Sequence, residues 1–399
     1  MNRSILKGLI ATAVLAAAGG AFAQTKQLKW AHVYETSEPY HTESVWAAEE
    51  IKKRSNGKFD IKVFPASSLG KETDINQGMT LGTVDMIISG TSFAARSYPR
   101  LGIAYYPFIF RDADHLIAFS KSDVFKEMVE GYRAKTGIQI TAYTYYGARH
   151  TTAQKPFTDC AGMKGLKIRV PDVPAYRATP EACGANPTPI AFAEVYLALQ
   201  NGTVDAQENP LTTIEAKKFY EVQKHIMLTG HIVDGLTTQI APHVWNTLSD
   251  AEKKMFTEVT QEAAARATAM IKKREAELVD EFKKKGLGVH PINRQSFVDA
   301  VLKNKPVESL GYERKDYDRF TVIVVVNVGA RVVGLIVDSV SEVLKVPRSA
   351  IETVPTRTAQ LIGQVANLQK QKRMILILNA GLLLDSTELA RLDQVRAAA

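Results

Sequence analysis

Every phenylalanine, tyrosine, tryptophan and histidine of this 399-residue chain lies at or before Phe320, and the segment from Thr321 to Ala399 has none. Aromatic side chains carry the largest apolar areas in a core. A single continuous domain does not confine them to one part of its sequence, so the chain reads as two unequal pieces, residues 24–320 and 321–399. Ahead of them stands a leader over residues 1–23, with basic Arg3 and Lys7, an apolar stretch from Leu9 to Ala18, and the small-x-small sequence Ala21-Phe22-Ala23 before Gln24. That order is the pattern of a secretory signal peptide. The apolar stretch is too short to cross a bilayer as a helix. The mature chain is therefore expected in the periplasm.

Within residues 24–320 strand-like and helix-like runs alternate. Leu28 to His32 and Phe59 to Phe64 read as strands, and Val45, Ala48 and Ile51 give Glu43–Arg54 a helical spacing closed by Asn56-Gly57. Alternation of this kind predicts an α/β fold with largely parallel strands. Ser249 and Glu252 form a capping box that opens a long amphipathic helix ending at Gly286. At roughly 1.5 Å of rise per residue that helix is long enough to span two lobes. An internal echo also points to two lobes: Gly82-Thr83-Val84-Asp85 recurs as Gly202-Thr203-Val204-Asp205, each after a helical run and before a short segment ending in polar residues. Ligands of open α/β sheets bind beyond the carboxyl ends of the strands. The competing reading of the echo is a common glycine-capped turn.

The formal net charge is +8, two of it in the leader, and the excess is spread along the chain rather than gathered in a block. Nucleic-acid binding is not indicated, whereas a mildly basic protein that handles organic anions fits. The two cysteines, Cys160 and Cys183, lie in no metal-ligand spacing. In an exported chain they are either a disulfide or two buried thiols. No nucleophile elbow, zinc-protease helix or phosphate loop is present, so neither catalysis nor a cofactor or metal is expected.

Arg149 and Arg169 occupy the distinctive contexts Gly147-Ala148-Arg149-His150-Thr151-Thr152 and Lys167-Ile168-Arg169-Val170-Pro171, with Gln207-Glu208-Asn209-Pro210 downstream. Guanidinium forks match a carboxylate bidentately and remain charged at any working pH. Two of them and an amide in one crevice would hold an anion without altering it. With Phe64-Pro65-Ala66-Ser67-Ser68-Leu69-Gly70, Asn186-Pro187-Thr188-Pro189-Ile190-Ala191-Phe192 and Ala216-Lys217-Lys218-Phe219-Tyr220, these stretches make residues 27–320 resemble the substrate-binding proteins of TRAP (tripartite ATP-independent periplasmic) transporters.

The resemblance implies a two-lobed, periplasmic-binding-protein-like fold that closes on an organic acid by a hinge motion and delivers it to membrane permease subunits. By the same resemblance Arg169 is the main salt bridge to the ligand carboxylate and Arg149 a second arginine on it. Asn209 hydrogen-bonds beside the carboxylate, Phe192 packs on the ligand, and Glu72 accepts from ligand hydroxyls. Val33 and Gly90 stand where the sialic-acid-binding branch has Asn and Glu. The expected ligand is accordingly a smaller dicarboxylate or sugar acid, with His32 and Thr91 as the nearest polar side chains to turn inward. Core packing competes for Phe192 and His32, a helix N-terminal charge for Glu72, and turn roles for Asn209 and Thr91.

Residues 321–394 resemble the C-terminal part of a CheW-like domain, the adaptor between chemoreceptors and their kinase. The carrying stretches are Thr321–Val328, Val333–Leu344, Ile362-Gly363, Met374–Asn379 and Leu382–Leu384. Strands are expected over 322–328, 331–340 and 374–378, and a helix over 386–395. Part of a β-barrel leaves open strand edges. Such adaptors also work in the cytoplasm, whereas the leader exports this chain. The segment is read as a fusion remnant, and the alternative is a sensory fusion that contacts a chemoreceptor or kinase.

Overall fold

The computed structural model describes residues 25–303 and the backbone of five strands between residues 322 and 378. The leader, the boundary at Phe320 and the helix expected over 386–395 lie outside the described residues. The chain divides into two compact units, Met1–Glu313 and Arg314–Ala399.

The first unit is built on a nine-stranded sheet. Its strands are β1 (Lys26–Ala31), β2 (Phe59–Phe64), β3 (Met86–Gly90), β4 (Gln139–Ala153), β5 (Lys167–Val170), β6 (Asn186–Pro189), β7 (Ala206–Pro210), β8 (His225–Ile240) and β9 (Gly288–His290). They run in the order β2-β1-β3-β8-β4-β7-β5-β6, with β9 beside β8. The β1, β2 and β3 pairings are parallel, as are those of β5 with β6 and β7, which fits the strand–helix alternation. β4 and β8 depart from it, because they pair antiparallel with each other, β8 pairs antiparallel with β3, and β4 pairs antiparallel with β7. The sheet is therefore mixed, and the expectation of largely parallel strands holds only inside each half.

The reason lies in length. At 15 and 16 residues, β4 and β8 are long enough to belong to both halves at once. The first part of β4 pairs only with the β8 stretch that also holds β3, and its last part, Arg149–Ala153, pairs with β7. Between them the register shifts at Tyr145/Gly147 and again at Arg149/Thr151. Gly147 sits there at φ 133°, where a Cβ would come within 2.5 Å of Pro210 Cβ. Only glycine fits that backbone and that gap.

The tetrapeptide echo is structural. In both copies the Thr and Val amides donate to one helix carbonyl, Gly78 or Ala198, and the Asp amide donates back to the parallel strand at Lys29 or Lys167. Each Asp carboxylate then accepts from that same lysine's amide, Asp85 at 2.7 Å and Asp205 at 3.1 Å. Gly82 and Gly202 take φ 77° and 70° to make the turn. The shared register places Arg169 of β5 where β1 has Ala31.

The helix expected over Glu43–Arg54 begins earlier, at Pro39, with proline in its first turn. It buries Tyr40, Ser44, Ala47, Ala48 and Ile51, whereas Val45 is left 40% exposed, contrary to the spacing inferred for it. The long helix runs Asp250–Lys284 and starts at the Ser249/Glu252 capping box. It meets the β1–β3 half through Phe256 on Phe59, ring centroids 5.0 Å apart, and the β5–β7 half through Phe282 on Tyr220 at 6.0 Å. Cys160 and Cys183 form a disulfide, which resolves the alternative left open by sequence. They lie in a satellite core with Phe157, Met163, Ile168 and Phe297.

In the second unit, Val322–Val328 and Arg331–Val337 pair as antiparallel strands, and Ile351–Thr353, Ile362–Leu368 and Arg373–Leu378 form a three-stranded sheet. Residues 338–340, expected to continue the second strand, lie outside the described set.

Candidate functional site

β5 delivers Arg169, which is 3% exposed. Its Nε donates to the Ile190 carbonyl at 2.9 Å, and its terminal nitrogens have no acceptor among the described residues. Burial pulls the Arg169 pKa down to about 10, the charge of Arg149 adds to that pull, and Glu208 opposes it. The Phe192 ring lies with its centroid 5.9 Å from this guanidinium. From the other half, Glu72 opens the helix Glu72–Leu81 and accepts through Oε1 from the Gly90 amide (2.8 Å) and Ser89 Oγ (2.9 Å). Its Oε2 has no hydrogen-bond partner among the described residues. Burial raises the Glu72 pKa, while the Gly90 and Ser89 bonds and the Arg169 charge work against that rise.

Arg149 is placed differently. It lies in the antiparallel part of β4 and is wholly committed to the protein. Nε and Nη2 grip Glu208 at 2.5 and 2.8 Å, Nη1 reaches Asp234 Oδ2 at 3.1 Å, and Nη2 also donates to Asn209 Oδ1 at 3.1 Å. The guanidinium packs over the Tyr176 ring, 4.7 Å to the centroid. Burial disfavours a charged Glu208, yet the adjacent Arg149 outweighs it and holds the carboxyl down to about 2. His231 Nε2 lies 3.2 Å from Glu208 and Thr229 Oγ1 2.8 Å from His231 Nδ1, which closes a buried polar chain.

The residue-range match to the bacterial extracellular solute-binding protein family 7 covers residues 30–306, most of the chain, and residues 307–388 match the CheW-like domain. The chain belongs to the TRAP solute-binding proteins. A solute-binding protein of Roseobacter denitrificans is 33% identical over 305 residues, 75% of this chain and 94% of that protein. Its crystal structure with bound L-galactonate matches with a TM-score of 0.68 at 30% identity, covering 72% of this chain and 99% of that one. The sialic acid-binding periplasmic protein SiaP of Vibrio cholerae is 33% identical over 299 residues, 75% of this chain and 93% of SiaP. The 2,3-diketo-L-gulonate-binding periplasmic protein YiaO of Escherichia coli is 32% identical over 272 residues, 67% of this chain and 83% of YiaO.

In this solute-binding protein Phe192 packs against the Arg169 guanidinium, and Glu72 lies near enough for the Arg169 charge to act on its carboxyl. Asn209 is buried beside them, its Oδ1 accepting from Arg149 and Tyr146 and its Nδ2 donating to Gln207 Oε1 at 2.6 Å. Among the described residues Gln207 is the one acceptor for Nδ2, and a primary amide carries two N–H groups.

His32 and Thr91 are both hydrogen-bonded within the protein. His32 Nδ1 accepts from the Tyr34 amide and its Nε2 faces His41 Nδ1, both at 3.2 Å. Burial, reinforced by His41, lowers the His32 pKa to about 3. Thr91 Oγ1 donates to the Gly235 carbonyl at 2.9 Å. Each thus has a backbone partner for one polar atom, the Tyr34 amide for His32 and the Gly235 carbonyl for Thr91, and His32 also faces the His41 ring.

Their near neighbours Tyr34 and Ser92 meet side chains from the other half of the sheet. The Tyr34 ring packs on Phe192 (6.3 Å) and Tyr146 (5.4 Å), and Ser92 Oγ donates to Tyr176 Oη at 3.3 Å, which donates to Asp234 at 2.8 Å. Asp234 carried a signal in the sequence, a lone acid inside the apolar run Ile232-Val233-Asp234-Gly235-Leu236. Tyr34 carried none, because an aromatic beside a strand end usually reads as core. A separate cavity of about 510 Å³, lined by Gln154, Tyr220, Lys224, His225 and Lys285 among others, has none of these cleft residues in its wall.

Proposed function

We propose that this protein captures a carboxylate-bearing organic acid in the periplasm and passes it, unaltered, to the membrane subunits of a TRAP transporter. Arg169 carries the reading. Its terminal nitrogens have no acceptor among the described residues, and a carboxylate accepting bidentately would supply one. In this reading Glu72 Oε2 accepts from ligand hydroxyls. Closing the halves expels water, and the lowered local dielectric strengthens those charge-assisted bonds.

The charge balance narrows the ligand. Arg149 is already answered by Glu208 and Asp234, so it orders the cleft through Asn209 and Tyr176 and adds no second open fork. A second ligand carboxylate would meet Glu72 and Asp234. A polyhydroxy monoacid is favoured over a dicarboxylate, and the L-galactonate bound by the Roseobacter relative supports this reading. Buried Val33 and Gly90, whose amide is spent on Glu72, leave no polar pair of the kind expected for sialic acid. The CheW-like segment has no part in capture in this reading.

Thermal-shift screening against aldonates, uronates, C4-dicarboxylates and sialic acid identifies the ligand class, because binding raises the melting temperature by mass action. For the best acid, Arg169→Ala is expected to weaken calorimetric affinity at least roughly tenfold, the cost of removing one partner from a buried charge pair. Wild-type affinity in that variant would remove Arg169 from the site.

A further inference from the structure

Two ion pairs join the halves of the cleft at its rim. Glu35 lies just beyond β1 and Lys217 just beyond the helix Leu211–Ala216 that follows β7, and their charged atoms are 2.6 Å apart. Arg96 ends the helix Thr91–Ala95 that follows β3, Asp172 follows β5, and they meet at 2.9 Å. Each pair takes one residue from the β1–β3 half and one from the β5–β7 half, and each abuts a cleft residue. Lys217 Nζ sits 5.2 Å from the centroid of Phe192, the ring beside Arg169. Ser92, near Arg96, bonds Tyr176 across the same gap.

We propose that these pairs are closure latches and that Glu35–Lys217 in particular sets how long the captured acid is held. The inference rests on the capture reading above. The pairs form only when the halves meet, so their contribution appears as a barrier to reopening and hence in the dissociation rate. Side-chain exposure is 14% for Lys217 and 30% for Glu35, against 43% and 60% for Arg96 and Asp172. The inner pair is thus the stronger and less salt-sensitive of the two, and the outer pair is largely screened at high ionic strength.

The test follows acid dissociation from the full-length protein by stopped-flow tryptophan fluorescence, using the best acid from the thermal screen. Glu35→Gln and Lys217→Met are each expected to raise the dissociation rate roughly two- to fivefold, the range for a partly exposed pair. The double variant should be no faster than either single one, and the charge swap Glu35→Lys with Lys217→Glu should recover most of the loss. Arg96→Gln should have a smaller effect that vanishes in molar salt. A faster Lys217→Met beside an unchanged Glu35→Gln would make Lys217 a ligand contact and overturn the latch. Unchanged rates in both single variants would overturn it as well. A wild-type protein that binds none of the acids overturns the capture reading together with the latch, whereas binding without these rate changes overturns the latch alone.

Discussion

A guanidinium taken out of water needs acceptors for its five N–H groups. Arg149 finds them within the protein, in Glu208, Asp234 and Asn209, whereas Arg169 finds one carbonyl, Ile190. Opposite responses to substitution follow. Arg149→Met leaves Glu208 and Asp234 buried without their cation and should destabilise the ligand-free protein by about 3–5 kcal/mol, read by denaturant unfolding. Arg169→Met removes a buried cation whose terminal nitrogens have no hydrogen-bond acceptor among the described residues. Its ligand-free stability should stay level or rise while acid binding is lost. Equal destabilisation by both variants would show that Arg169 is structural like Arg149. Both arginines stood out in the sequence as candidate carboxylate contacts. Which one keeps an open fork was not legible there, because the carboxylates that answer Arg149 come from β7 and β8, 59 and 85 residues away.

At the scale of elements, the bulge in β4 lies where its pairing passes from one half of the sheet to the other. Glu275, on the long helix, accepts from the Ala148 amide at 2.9 Å and from Tyr145 Oη at 2.7 Å, on either side of Gly147. Burial raises its pKa from 4.5 to about 7, against the pull of those two bonds. The folded state therefore binds a proton more tightly than the unfolded chain. The contribution is fully present below pH 4.5 and is lost as pH rises toward 7. Glu38, raised to about 7 chiefly by burial, acts in the same direction. Melting temperature should fall as pH rises through that window, and Glu275→Gln should make the fall shallower. An identical pH profile for wild type and Glu275→Gln would assign the slope to other groups. The capping box of the long helix was legible because it is local, four residues whose side chains answer their own backbone. The bulge at Gly147 was not, since what demands glycine there is Pro210, from a different strand.

For the whole molecule, the family match ends at residue 306 and the CheW-like match begins at 307. A chain ending at residue 306 is expected to bind the same acid with unchanged calorimetric affinity, since every cleft residue lies before that point. A marked loss of affinity would mean that the CheW-like segment contributes to capture. By itself the sequence determined what short-range rules encode: the strand–helix alternation within each half, the long capped helix, the repeated glycine turn and the two-piece composition. It also marked the arginines, because their flanking residues are distinctive. Only the tertiary structure decided that β4 and β8 run antiparallel through both halves, that Cys160 pairs with Cys183, that His32 and Thr91 bond the Tyr34 amide and the Gly235 carbonyl, and that Lys217 pairs with Glu35. Those outcomes depend on which distant group arrives to satisfy a buried charge, donor or gap. No local pattern of residues carries that information, since it arises only when the two halves of the sheet are brought together.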